Sequence, residues 1–250
     1  MLDYPEYDKR AGFLRHLAAV GLSVGLLGIA GCQTAPATPS GTLPPDRVIP
    51  AEAAPVSAVR YEILADLSEL RFLVFRAGPL ARLGHNHVIQ ARNIRGEIRL
   101  ADDIRRSTFA IEMPVQDFLV DAEQARADEG EEFSPQPDGE AIAGTTANML
   151  GEKVLDAARY PEIAIKSVAA NGPAWGMDLT VRVTLHGTAR EMTVPTALAI
   201  NADTLVATAF FSIDQTDFGI APMSVLGGGL LVDNSVRIRM RIVARKAAGQ

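Results

Sequence analysis

The chain is short of the residues that build disulfides and most metal centres. Among 250 residues there is one cysteine, Cys32, and there are four histidines. A single cysteine excludes an intramolecular disulfide and any zinc site made from several thiolates. Clustered basic residues are also missing, and the formal charge is −6. Since nucleic-acid binding needs a concentrated basic surface, we expect no nucleic-acid partner.

Signatures of catalysis are missing as well. The sequence contains no recognisable nucleophile motif and no pair of carboxylates at a catalytic spacing. Its glycine triplet, Gly227–Gly229, lies between Leu226 and Leu230 without the Lys-Ser pair or helix start of a phosphate loop. We therefore expect a protein that is not an enzyme. Hydrophobic residues make up 48% of the chain, enough to fill a folded core.

The N-terminal segment has the layout of a signal peptide. Lys9, Arg10 and Arg15 precede the uncharged run Leu17–Gly31, which is short of the roughly 20 residues that span a bilayer. The run ends in Ile29-Ala30-Gly31-Cys32, which resembles the lipobox of bacterial lipoproteins. That resemblance implies a signal peptide over residues 1–31 and acylation of Cys32, with palmitate among the acyl groups. The alternative is a buried helix with a chance cysteine.

Residues 32–58 read as a tether. Six prolines in this stretch oppose regular helix and favour extended backbone: Pro36, Pro39, Pro44, Pro45, Pro50 and Pro55. Gln33 follows the cysteine, where an aspartate would resemble an inner-membrane retention signal. We therefore expect a lipid-anchored protein of the cell envelope, on the periplasmic face of the outer membrane.

Residues 59–246 show the period-two alternation of β-strands. In the last predicted strand Val236, Ile238 and Met240 alternate with arginines. Such strands have one apolar face and one solvated face, as in antiparallel sheets. Several of them in series indicate a sandwich or a barrel. Of these two, the family resemblance described below implies an all-β, lipocalin-like antiparallel barrel of about eight strands, with one helix capping an end.

The apolar faces give a candidate ligand-binding lining. Most of these side chains are of moderate size, which would leave an apolar tunnel along the barrel axis; the alternative is an interior filled by its own side chains. The predicted lining comprises Phe72, Val74, Ile98, Phe109, Ile111, Met113, Val181, Val183, Leu185, Phe211, Ile213, Val236, Ile238 and Met240.

The middle of the chain departs from the strand pattern. Residues 117–137 are strongly acidic, and we expect an exposed, partly mobile excursion there. Residues 146–159 have apolar residues at helical spacing and form the predicted capping helix, which ends at Tyr160-Pro161. The acidic excursion, or a sheet edge, is also the candidate interface if the protein binds an envelope partner. A homodimer is compatible with the sequence.

His85 and His87 are the candidate metal ligands. Residues i and i+2 of a strand point to one side, so two imidazoles could hold one transition metal. Asp66 and His186 are guesses for a third ligand. A metal-binding protein or metal-dependent enzyme is thus an alternative function. The simpler interpretation is a polar turn at the barrel rim.

Arg237, Arg239 and Arg241 form a basic row on the face opposite the predicted lining. A solvated outer face explains them best. Contact with phospholipid headgroups is the alternative.

Three segments together resemble the YceI-like family of exported, lipocalin-like proteins associated with polyisoprenoid binding. They are Arg159–Ser167 around Tyr160-Pro161, Val183–Pro195 around His186-Gly187, and Asp217–Ile220 followed by Val232-Asp233-Asn234. The resemblance covers roughly residues 61–244. It implies a lipid-binding barrel whose ligand is a polyisoprenoid, such as an isoprenoid quinone tail or an undecaprenyl-type lipid, held as an apolar small molecule.

Overall fold

The structure is a computed structural model that describes residues 57–173 and 175–248. The predicted signal peptide, Cys32 and all of the tether up to residue 56 lie outside the described residues. The strands of the described part are β1 Val59–Ile63, β2 Glu69–Val74, β3 Arg76–Ala77, β4 His87–Ala91, β5 Arg95–Leu100, β6 Thr108–Pro114, β7 Leu119–Val120, β8 Glu162–Asn171, β9 Met177–Leu185, β10 Thr188–Ile200, β11 Thr204–Asp214, β12 Ser224–Val225, β13 Leu230–Val232 and β14 Ser235–Lys246.

The long strands close into an eight-stranded antiparallel barrel. Its order is β1, β5, β6, β8, β9, β10, β11 and β14, and β14 pairs back with β1. β1 and β2 form one bent strand, interrupted by the 3-10 turn Ala65–Leu67, and both pair with β14. β4 and β7 extend the sheet beyond β2. The predicted all-β, lipocalin-like barrel is confirmed.

Register explains why the two faces of β14 differ so sharply. Ile238 lies opposite Phe211 on β11, and Ile242 lies opposite Ala207. Ile238 and Ile242 are buried, whereas the intervening Arg239 and Arg241 are exposed. Successive side chains of a strand point to opposite faces, so one strand supplies both the barrel core and its outer wall.

The described residues form two helices, α1 Glu123–Glu129 and α2 Gly139–Leu150, of which α2 packs on the main barrel core and covers one end. The predicted capping helix over residues 146–159 is therefore displaced. α2 begins early because the Asp138 side chain accepts a hydrogen bond from the Ala141 amide at 2.8 Å, capping the first turn. It stops at Leu150 because Gly151 is extended.

Residues 151–159 form turns that still bury their apolar side chains. The amides of Leu155 and Ala157 donate back to the carbonyls of Met149 and Leu150. Val154 and Leu155 pack against the barrel core from this position. The apolar spacing therefore identified the buried residues correctly but assigned them the wrong backbone conformation.

The acidic stretch is folded, which corrects the expected exposed excursion. It contains β7, α1 and the 3-10 turn Glu131–Phe133. Phe133 is buried with Leu73, Val88 and Ala125 in a second apolar cluster outside the main core. The segment is a structural part of the barrel wall.

β12, β13 and β3 form a separate three-stranded sheet. Within the described part of the chain, no helix combines the length and apolar character needed to cross a membrane.

Candidate functional site: an apolar cavity in the barrel

The barrel interior has two halves. The half covered by α2 is filled by buried residues such as Met113, Phe118 and Met149. The other half contains a cavity. Its described lining is Ile98, Leu100, Ile104, Ser107, Phe109, Ile111, Ile165, Ser167, Ala169, Ala170, Met177, Leu179, Val181, Val183, Val194, Thr196, Leu198, Leu205, Ala207, Phe211, Met240 and Ile242.

The cavity has few polar groups among its described lining residues. Three hydroxyls are present, and each makes a hydrogen bond to the backbone. Ser107 Oγ accepts from the Ala101 amide at 3.0 Å, and Ser167 Oγ accepts from the Phe109 amide at 3.0 Å. Thr196 Oγ1 donates to the Val194 carbonyl, also at 3.0 Å. With no charged side chain and only these hydroxyls in the described lining, the surface suits hydrocarbon better than a polar headgroup.

The free space in this half is narrow, about 90 Å³. An engineered apolar cavity of about 150 Å³ admits benzene, so the space as it stands does not hold a long chain. Several lining side chains can adopt other rotamers. Met177 and Met240 are unbranched thioethers with three rotatable bonds, and such side chains adapt readily to irregular shapes. Entry of a chain therefore requires these side chains to move.

The fourteen residues predicted to line the ligand divide between the two halves. On the cavity lie Ile98, Phe109, Ile111, Val181, Val183, Phe211 and Met240. In the packed core lie Phe72, Val74, Met113, Leu185, Ile213, Val236 and Ile238. Phe72, for example, stacks on Phe118 with ring centroids 5.5 Å apart. Alternation identifies the inward face of a strand but not the depth of a residue along the barrel.

Sequence reasoning missed the contributions of β8 and β10. β8 shifts register between Ser167 and Ala169, so the period-two pattern breaks where this strand reaches the cavity. Val194 and Leu198 on β10 lie an even number of residues apart, and that spacing could have placed both on the inner face.

His87, one of the two candidate metal ligands, belongs to a buried charge cluster outside the barrel. Its Nδ1 lies 2.6 Å from Oδ2 of Asp121, and Oδ1 of Asp121 accepts from Arg126 Nη1 at 2.6 Å. Arg126 also donates to the carbonyls of Asn86 and Pro135, at 2.7 and 3.0 Å. The cluster fastens β4 to the segment that contains α1.

Asp121 stays ionised in this environment. Burial raises the pKa of its carboxyl, but hydrogen bonds from His87, the Val88 amide and Arg126 outweigh burial and hold the pKa below its ordinary value. An anion here compensates the buried guanidinium.

Within the described residues, the structure brings no third metal ligand to His85 and His87. The His85 and His87 rings lie edge to face with centroids 6.3 Å apart. Among the described residues no group of three or more His, Cys, Asp or Glu side chains converges, so Asp66 and His186 do not complete a site. His186 instead packs on Tyr160, with centroids 5.1 Å apart.

The arginine row on β14 is engaged with the protein itself. Arg237 lies over the Phe75 ring at 4.4 Å, Arg239 Nη2 lies 3.2 Å from Glu129 Oε2, and Arg241 Nη1 donates to the Leu67 carbonyl at 2.8 Å. These contacts fit a solvated outer wall that anchors α1.

The profile of the YceI-like domain matches residues 61–244. The chain belongs to the YceI-like family. The match covers nearly all of the barrel, from the third residue of β1 to within two residues of the end of β14.

Two solved structures share the fold at low sequence identity. BcnA of Burkholderia cenocepacia is 14% identical, with a TM-score of 0.52 over 72% of this chain and 98% of BcnA. A polyisoprenoid-binding domain from Saccharophagus degradans, implicated in plant cell wall breakdown, is 12% identical. Its TM-score is 0.52 over 76% of this chain and 99% of that domain. No curated protein matches the chain in sequence.

The segments that carried the YceI-like resemblance meet at the packed end of the barrel. Gly187, in the turn between β9 and β10, has φ of +71° and lies directly against the Tyr160 ring. Phe218, in the third segment, is fully buried, and Gly219 beside it approaches the Thr188 side chain. The turn between β9 and β10 and the buried Phe218 therefore close the barrel end opposite the cavity, whereas Ile165, Ser167, Val183 and Val194 of the same segments line the cavity.

Proposed function

We propose that this protein is an envelope lipoprotein whose barrel binds a long apolar ligand, a polyisoprenoid or an isoprenoid quinone tail. The observation that carries the proposal is a closed barrel half lined by aliphatic side chains, with every hydroxyl already bonded. The similarity in fold to a polyisoprenoid-binding domain supports the same ligand class.

Energetics indicate how long the ligand must be. Each buried CH₂ contributes about 0.8 kcal/mol, and association costs about 4–15 kcal/mol. Micromolar affinity, about −8 kcal/mol net, then requires about 15–30 buried carbons, or three to six isoprene units. A chain of that size exceeds the 90 Å³ now free. The ligand-bound barrel must therefore be wider, with Met177, Met240 and Phe211 turned from their present positions.

The proposed location in the cell envelope is supported by the sequence alone. The order of basic residues, uncharged run and Ile29-Ala30-Gly31-Cys32 supports acylation of Cys32, and Gln33 supports the outer membrane. An intact-mass measurement on protein purified from membranes tests this. Acyl groups should be present on the wild type and missing from Cys32→Ser.

Binding is tested by mass spectrometry of organic extracts from the purified protein. Wild type should release an isoprenoid lipid. Ala207→Leu should release much less, because the added methyl groups fill the cavity from β11. Ala197→Leu is the matched control, since the same change lies exposed on neighbouring β10 and should leave the extract unchanged. Absence of any apolar lipid from the wild type overturns the proposal.

A further inference from the structure

The cavity approaches the surface at one end of the barrel, here called the mouth. Its outermost described lining residues sit where strands end or begin: Leu100 at the end of β5, Met177 at the start of β9, and Leu205 near the start of β11. The opposite end is closed by α2 and the turns that follow it. An apolar ligand therefore has its shortest exit at the mouth.

Apolar side chains stand exposed around the mouth. Trp175, in the turn between β8 and β9, is 78% exposed, and Ile200 at the end of β10 is 38% exposed. Val59 at the start of β1 is 36% exposed, and Ile104 is partly buried at the cavity edge. We call these four residues the mouth rim. Tryptophan favours the interface between lipid and water, where its ring is sheltered and its N–H remains hydrated.

The path of the chain adds an independent constraint. β1 enters the barrel at the mouth, since Val59 pairs with Leu100. Only the segment Gln33–Ala58 separates Cys32 from β1. In polyproline-type backbone, at about 3.1 Å per residue, such a segment reaches about 80 Å. An anchor at Cys32 would keep the barrel within that distance of the bilayer, and the tether joins the barrel at its mouth.

Charge at this end is mixed. Arg105 Nη2 lies 2.8 Å from Asp103 Oδ2, and Arg60 Nε lies 3.0 Å from Glu97 Oε2. Cations that are already paired on the protein attract anionic headgroups weakly. Arg245 and Lys246, at the end of β14, are exposed and make no ion pair within the described residues. On neutral phosphatidylcholine, contact at the mouth would depend on the apolar rim and should change little with salt.

Resting on the proposed function, we propose that the mouth rim docks on the lipid bilayer, so that an apolar ligand passes between membrane and barrel without crossing water. Trp175 is the principal contact. The surface to which the rim binds is the membrane that holds the anchor.

The chain supplies its own reporter, because Trp175 is its only tryptophan. Full-length protein, processed by the cell and purified from membranes, is reconstituted into phosphatidylcholine vesicles, with and without brominated phosphatidylcholine. Trp175 emission should shift to shorter wavelength and be quenched by the brominated lipid, at low and high salt alike. In the control Trp175→Phe with Asn148→Trp, the reporter moves to α2 at the closed end and should remain unquenched.

Three results overturn the proposal. The first is Trp175 emission that is neither shifted nor quenched. The second is equal quenching of both reporters, which would show contact without orientation. The third is a shift of Trp175 emission without quenching that increases with the number of protein molecules per vesicle, which would show that the rim contacts a second copy of the chain. Extracts of the same samples separate the two proposals: a lipid in the extract with unquenched Trp175 leaves the carrier function standing, whereas quenching with an empty extract leaves only the docking.

Discussion

At the scale of single residues, the described charge buried most deeply is Asp121. Its side chain has no exposed surface, and its partner Arg126 is 3% exposed. A buried ion pair is weak evidence for stability as a whole, but removal of one partner leaves the other uncompensated.

Asp121→Asn should therefore destabilise the protein by about 3–5 kcal/mol at neutral pH. Because the folded-state pKa of Asp121 lies below its ordinary value, its contribution is fully present above about pH 3.9 and is lost as pH falls through the folded pKa. Denaturant unfolding should show the wild type and the variant converging in acid. Exposed Asp102→Asn is the control and should leave the midpoint unchanged. A gap of constant size at all pH values would contradict the assignment.

Gly187 is the second residue whose identity the structure explains. Its φ of +71° favours glycine, and a Cβ would overlap the Tyr160 ring. Gly187→Ala should cost at least about 1–3 kcal/mol from backbone conformation alone. Gly144→Ala is the comparison, since open space surrounds that helical glycine and the change should stabilise α2 by about 0.5–1 kcal/mol. Thermal unfolding of both variants checks the contrast, and equal midpoints would refute it.

At the scale of elements, α1 is fastened to the barrel by charge. Glu129, with a side chain 2% exposed, meets Arg71 at 3.1 Å and Arg239 at 3.2 Å. Asp128 adds a contact to Arg71 at 2.8 Å. These contacts cross from the helix to β2 and β14, so they stabilise the helix against the outer wall.

Glu129→Gln should loosen α1 while the barrel strands stay intact. We expect a loss of about 1–2 kcal/mol. Hydrogen exchange should show faster exchange in α1 and unchanged rates in β9–β11. The same substitution at exposed Glu123, at the start of the helix, should have little effect. Uniformly faster exchange throughout the protein would mean that α1 is not a separate unit.

The elements also show what the sequence could and could not predict. Alternation in β9, β11 and β14 placed inward and outward residues correctly, because burial on one face enforces period two. It did not predict the displaced helix, since the Asp138 cap and extended Gly151 determine its ends. It did not predict that the acidic stretch folds, because the arginines that hold α1 come from β2 and β14, far away in the sequence.

For the candidate site, too, the sequence predicted some features and not others. Phe211 and Met240 were predicted to line the ligand space and do line the cavity, whereas Ile213 and Ile238 lie two residues away in the packed half. Position along the barrel axis depends on where the helices close the end, and that is a property of the assembled chain.

At the scale of the whole molecule, the barrel is asymmetric. One end is closed by α2, the turns that follow it and the Tyr160–Gly187 contact. The other is an aliphatic half with loose packing and an apolar rim. This division keeps the fold stable while the cavity half retains the freedom to admit a chain.

Photo-crosslinking shows whether an isoprenoid chain binds inside the barrel cavity. A farnesyl analogue that carries a diazirine near its tail is bound to the purified protein, irradiated and mapped by peptide mass spectrometry. The account predicts labels on cavity residues such as Ile165, Phe211 and Met240, and their loss in Ala207→Leu but not in Ala197→Leu. Labels confined to outer-wall residues such as Phe210, Leu83 and Leu226, or no label above background, would contradict it.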